Sequence, residues 1–136
     1  MTKLLNASKL FQTLLTRDGP PAAKVASDLD VGSFDDVPFI THSSQISQDR
    51  GPGLWTVILT INLFLEPRDA FDVADYVYSA VTEWGDDPDL GVVPGVGGVE
   101  DLEDMNAFVP VSGEVSMVNK IVVHYQGSFT LTVRAF

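Results

Sequence analysis

Apolar and polar residues alternate over two long stretches, Leu54 to Leu65 and Val118 to Ala135, and a period of two marks each as a β-strand with one buried face. Trp55, Val57, Leu59, Ile61, Leu63 and Leu65 share one face of the first; Ile121, Val123, Tyr125, Phe129, Leu131 and Val133 share one face of the second. Strands usually run about five or six residues, so two of this length exceed what a small domain covers from its own chain. The overhang invites a neighbouring subunit or a partner. Between the two strands the period changes. Glu66-Pro67-Arg68-Asp69 puts a proline and acids where a helix begins. Phe71, Ala74, Val77, Tyr78, Val81 and Trp84 then recur at three- and four-residue steps, which predicts a helix from about Pro67 to Trp84, ended by Gly85.

The other segments carry weaker patterns. Leu10, Phe11, Leu14 and Leu15 predict a short helix over Ala7 to Thr16, stopped by Arg17-Asp18-Gly19-Pro20-Pro21. Ala22 to Asp36 reads either way: Lys24, Val25 and Ala26 suit a strand, while Asp28, Asp30, Gly32, Asp35 and Asp36 are turn residues. A strand is expected over Val37 to Ile46, with Pro38 placing it at an edge or at its first residues. The polar, glycine-rich Ser47 to Gly53 then reads as the loop of a hairpin. Asp86 to Gly98 predicts a loop, or a short irregular strand around Val92 and Val93. Val99 to Val111 predicts a strand and Ser112-Gly113-Glu114 a turn. The sum is one α+β domain over residues 1–136. Its mostly antiparallel sheet of long strands packs against one or two helices, with a mobile hairpin tip at about 45–53.

Charge sharpens this picture by its position. From Asp69 to Asn119 there is no Lys or Arg, but there are twelve acids: Asp69, Asp72, Asp75, Glu83, Asp86, Asp87, Asp89, Glu100, Asp101, Glu103, Asp104 and Glu114. The rest of the chain has eight bases against seven acids, so the block at −12 and the remainder at +1 give the net charge of −11. A surface of this sign repels nucleic-acid phosphates and argues against a DNA or RNA grip. Its plainest use is a solvated, solubilising face. Zero cysteines fit a reducing cytosol, and polar residues interrupt every apolar run near the N-terminus, so a soluble protein made in the cytoplasm is expected.

Catalytic chemistry finds little to stand on. His42 and His124 are the only histidines and lie far apart, so a metal site would rest on carboxylates. Asp28-Leu29-Asp30-Val31-Gly32 approximates a calcium loop, but its glycine comes one position early and position twelve would be Phe39; it reads as a turn. Gly95-Val96-Gly97-Gly98 lacks the third glycine of a dinucleotide fingerprint, Glu100 standing there instead. Asp86, Asp87 and Asp89 offer acid and base groups without a pocket legible in the sequence. Trp55 and Trp84 fall on apolar stripes, where core packing outweighs stacking on a sugar or base. No catalytic, cofactor-binding or metal-binding residue is expected, and the chain reads as a non-enzyme.

The order of elements does resemble a known family. The N-terminal helix, edge strand and hairpin are followed by the strand Leu54-Trp55-Thr56-Val57-Ile58-Leu59-Thr60-Ile61-Asn62-Leu63-Phe64. After it come the helix Ala70-Phe71-Asp72-Val73-Ala74-Asp75-Tyr76-Val77-Tyr78 and a closing strand from Val122 to Arg134. Together they are similar to the tail terminator (tail completion) proteins of long-tailed bacteriophages, those of actinobacterial phages most readily, and the likeness is best over Leu54 to Phe136. The resemblance implies a virion structural protein at the head-proximal end of the tail. It would form a homohexameric ring that caps the tail tube, stops its polymerisation and offers a docking surface to a head-completion protein during head–tail joining. The implied partners are copies of itself, the tail tube protein, the head-completion protein and DNA passing without specific binding, with no membrane and no cofactor. On this reading Gln45, Ile46, Ser47, Gln48, Asp49, Arg50 and Gly51 form a docking loop. Asp86, Asp87, Asp89, Glu100, Asp101, Glu103 and Asp104 are expected to face the lumen and repel the passing genome. The competing expectations are another ring of the phage neck, such as a head-completion or connector protein, or a small cytosolic ligand-binding domain or enzyme.

Overall fold

The computed structural model describes residues 4–27, 38–87, 89–111, 115–117 and 120–136. The chain forms helix α1 (Ala7–Asp18), strands β1 (Lys24–Ser27), β2 (Phe39–Gly51) and β3 (Leu54–Leu65), and helix α2 (Ala70–Asp86). Strands β4 (Val92–Val93), β5 (Gly97–Pro110), β6 (Val115–Met117) and β7 (Lys120–Ala135) complete it. It is an α+β fold with a mixed sheet in the order β1-β2-β3-β7-β5-β4, and β6 adds a further pairing on β7. Among the described residues only β1 and β2 run parallel; every other pair is antiparallel. The calcium-like turn Asp28 to Gly32 and the turn Ser112 to Glu114 lie outside the described residues.

The alternation in β3 sets the layers. Val57, Leu59, Ile61, Leu63 and Leu65 are fully buried, whereas Ile58, Thr60, Asn62 and Phe64 on the other face are half-buried. On the central partner β7, Phe129, Leu131 and Val133 join the same core, with Val123 and Tyr125 at its margin. Both helices cover this one face. The α1 residues Leu10, Phe11, Leu14 and Leu15 are fully buried, as are Val77, Val81 and Trp84 of α2 apart from 1 % of the last. Burying an aliphatic or aromatic side chain of this size is worth about 1.5–3 kcal/mol, so this single layer of contacts dominates the fold's stability.

Local chemistry explains where the elements stop. The Asn6 side chain accepts a hydrogen bond from the Lys9 amide (3.1 Å) and caps α1, which runs on past Thr16 through Arg17 and Asp18 and ends at Gly19. Pro67 opens a single 3-10 turn that leads into α2, and the helix runs through Gly85 to Asp86 rather than ending at the glycine. Gly85 serves contact instead: a Cβ there would sit 2.7 Å from that of Leu102 on β5, so its bare backbone lets helix and sheet approach.

Three expectations are corrected. The long strands β3 and β7 have no overhang, because β2 and β7 flank β3, and β3 with β5 and β6 flank β7, along nearly their whole length, so the unpaired edges among the described residues fall on β2 and β5 instead. Ser47 to Gly51 belongs to β2, which pairs with β3 to the end, so the hairpin turn is only Pro52-Gly53. Two irregularities in the register, between Ile46 and Gln48 and between Asp49 and Gly51, absorb the polar run that reads as a loop. The last correction concerns Phe71. It lies on the sequence stripe of α2 yet is 76 % exposed: the buried face runs through Ala70, Ala74, Val77, Val81 and Trp84, and Phe71 stands one residue, about 100°, round the helix from Ala70.

Candidate functional site

The sheet has two open borders among the described residues. Among the described residues, β1 covers the outer side of β2 only from Phe39 to His42, and β4 covers β5 only at Gly97 and Gly98. The outer edge of β2 from Ser43 to Gly51 and that of β5 from Glu100 to Pro110 therefore have no strand partner among those residues. Such an edge presents a row of backbone donors and acceptors to any strand that can reach it.

The residues Gln45, Ile46, Ser47, Gln48, Asp49, Arg50 and Gly51 form the first border. Gln45, Ser47, Gln48, Asp49 and Arg50 are exposed, while Ile46 is half-buried. Ser47 and Arg50 are the extra residues of the two register irregularities. Arg50, released from the ladder, reaches across the curled sheet to Glu103 (3.1 Å). The tip is fixed by the Gly51 amide donating to Asp49 (2.9 Å) and the Ala135 amide donating to the Gly53 carbonyl (2.7 Å). Gly51 (φ 130°) and Gly53 (φ 73°) occupy backbone conformations that residues with a Cβ avoid.

The second border explains most of the acidic block. Register breaks between Val99 and Asp101, Leu102 and Asp104, and Asn106 and Val109 leave extra residues in β5. Its core-facing positions therefore come every third residue, at Val99, Leu102, Met105 and Phe108. Glu100 and Glu103 are two of the extra residues, and each meets an arginine: Glu100 accepts from Arg134 (2.6 Å) and Glu103 from Arg50. Asp101 and Asp104 stay exposed. With Asp86 and Glu103 they line a groove of about 540 Å³ between the end of α2 and β5. Asp87 and Asp89 sit apart in the turn after α2, where the Asp89 amide donates to Asp87 (3.0 Å). Asp89 instead lines a groove with Arg17, Asp72, Asp75 and Glu83. The seven carboxylates thus divide between two places. Among the described residues, no group of three or more His, Cys, Asp or Glu side chains is arranged to hold a metal ion.

A third feature joins residues that the sequence leaves separate. Phe71, Ala74 and Tyr78 of α2 face Ala107, Phe108 and Pro110 of β5 and Tyr125 of β7 around an apolar groove of about 260 Å³, with Asp75 at its rim. Sequence reasoning assigns Phe71 and Tyr78 to the helix stripe and Tyr125 to the strand face, but it does not show that they surround an open space. The triplet spacing of β5 hides Phe108 from a period-two reading.

Both histidines hold structural positions. His42 is buried, its Nε2 lies 2.7 Å from Gln12 Oε1, and the Gln12 amide donates to the Val25 carbonyl (3.0 Å), tying α1 to β1 and β2. His124 stacks on Phe64 with ring centroids 4.5 Å apart and bonds Asn62 (2.7 Å); partial burial lowers its pKa, favouring the neutral ring. Among the described residues, no helix is long and apolar enough to cross a membrane. The chain matches neither any protein-family model nor any curated protein with which it was compared.

Proposed function

We propose that the chain is a ring-forming structural subunit of a phage tail, of the terminator type. Six copies close head to tail, cap the tail tube, end its growth and present the opposite rim to a head-completion protein. The observation that carries this reading is the pair of strand edges, on opposite borders of one sheet, that have no strand partner among the described residues. A subunit with two unlike edges joins its copies heterologously, and heterologous contacts produce a ring when the rotation closes. The resemblance in element order supplies the place of that ring in the virion.

The acidic residues Asp86, Asp101 and Asp104, which lack the arginine partners of Glu100 and Glu103 in the hydrogen-bond network described above, are the ones proposed to face the DNA channel. The β2 border from Gln45 to Gly51 is proposed as a docking edge.

Light scattering on the purified chain, alone and with tail tubes assembled from the phage's own tube protein, tests this directly. The expected result is a particle of six 14.7 kDa chains, free or on the tube end, and tubes that stop elongating when the chain is added. A chain that stays single and leaves tube length unchanged in electron micrographs overturns the proposal.

A further inference from the structure

We infer that Leu4 of one copy seats in the apolar groove between α2 and β5 of the next copy, a contact that rests on the ring reading and specifies its interface. Leu4 is 79 % exposed, the most exposed large apolar residue described, and Phe71 at the groove mouth follows at 76 %. Neither stands alone: Phe71 is continuous with the apolar lining of the groove, and Leu4 with Leu5, Ala7 and Ile46, and contiguous apolar surface of this kind marks a contact.

Their positions match the two open borders. Leu4 lies with Leu5 and Ala7 beside Ser44 and Ile46, in the free half of β2. The groove formed by Phe71, Ala74, Tyr78, Phe108, Pro110 and Tyr125 runs beside the free half of β5. Both also lie on the helix-covered side of the sheet. Ser44 and Ile46 pair with the core-facing Leu59 and Val57, and Phe108, Tyr78 and Tyr125 pack against the same core. When the β2 edge of one copy adds to the β5 edge of another, the sheet continues and residues on its helix side become neighbours across the seam. A projecting leucine on one border and an apolar recess on the other are then brought to one place.

Charge selects a second copy joined head to tail over one joined two-fold through β5. The segment with twelve acids and no base builds α2, β4 and β5, so pairing two β5 borders would set one such block against another. The free border of β2 from Ser43 to Gly51 carries one acid, Asp49, and one base, Arg50, so pairing β5 with β2 avoids setting two acidic blocks together.

The absence of cysteine from the chain makes disulfide trapping clean. The full-length double variant Leu4→Cys/Phe71→Cys, oxidised in solution, is expected to give a ladder of covalent multimers ending in a closed species, while either single variant stops at dimers. The control pair Leu4→Cys/Tyr76→Cys, with the second cysteine on α2 outside the groove, is expected to give no ladder. Both sites of the test pair are exposed, and circular dichroism verifies that the fold survives. A hexamer by light scattering without a ladder, or a ladder of equal yield from the control pair, overturns this contact and leaves the ring standing. A chain that remains single by light scattering, with and without tail tubes, overturns both.

Discussion

Asp18 accepts three hydrogen bonds from two partners. It receives Arg17 Nε (2.8 Å) and Arg17 Nη2 (2.7 Å) together with the indole N–H of Trp84 (2.8 Å), while Arg17 also donates to the Val92 (3.0 Å) and Leu90 carbonyls. The pair therefore ties the end of α1 to the end of α2 and to β4. Arg17 above all, with help from Trp84, holds the Asp18 carboxyl below its ordinary pKa against the opposing effect of partial burial. A depressed folded pKa stabilises the protein above the unfolded carboxylate's pKa, about 3.9, and that contribution is lost as pH falls through the lower folded value. Asp18→Asn is expected to cost about 1 kcal/mol at neutral pH, small because solvent screens the group. The urea midpoints of variant and parent should converge below about pH 4; a gap that persists in acid would show that packing, not charge, is responsible. Gly85→Ala tests the neighbouring contact. Alanine improves helix propensity by about 1 kcal/mol, but its Cβ would meet Leu102 at 2.7 Å with the Leu102 backbone nitrogen 3.0 Å away. Overpacking of this kind costs about 1–3 kcal/mol, so urea unfolding should show a net loss.

Among the described residues, β2 and β5 differ from β3 and β7 in having only one neighbour along most of their length. Amides of Leu59 to Leu63 and Phe129 to Val133 should exchange with solvent only on global unfolding, while those of Ser43 to Gly51 not bonded to β3 exchange quickly in the free chain. Assembly should slow that second group by at least tenfold, as read by hydrogen-exchange mass spectrometry; unchanged exchange in a verified hexamer would mean that β2 is not at the seam. The same contrast decides what the sequence reveals. Strands buried on one face carry the period-two signal, so β3 and the apolar face of β7 are legible, as are the positions of α1 and α2. The border strands are less so. In β2 the polar run Ser47-Gln48-Asp49-Arg50 has the composition of a loop, and it is strand because β3 offers a ladder and two register irregularities accommodate the extra residues. In β5 the three register breaks turn the inward period to three, so Leu102, Met105 and Phe108 fit neither a regular helix nor a regular strand. The groove around Phe71 is less legible still, since it depends on the angle at which α2 leaves the sheet and not on any local pattern.

On the scale of the whole molecule, a chain of net charge −11 must overcome its own repulsion in order to assemble. Two of the β5 carboxylates are offset within the subunit, Glu100 by Arg134 and Glu103 by Arg50, but the exposed Asp101 and Asp104, proposed to face the channel, stand beside the border where the next copy docks and meet the same pair of each neighbour around the ring. Repulsion between copies reaches about 30 Å in 0.01 M salt and about 8 Å at physiological ionic strength, shorter than the width of a subunit. The apolar seam of Leu4 and the Phe71 groove, by contrast, is indifferent to that screening. Raising salt from the lower to the higher level should therefore tighten association of the purified chain, by roughly tenfold or more where the screened repulsion exceeds about 1.4 kcal/mol. Analytical ultracentrifugation across a salt series measures this. Asp101→Asn/Asp104→Asn should raise association at low salt and flatten the dependence while leaving the single chain's thermal stability within about 0.5 kcal/mol, as exposed positions normally do. Weakening of the parent's association by added salt would mean the reverse, an interface held by ion pairs between the two borders instead of by strand pairing and a buried leucine.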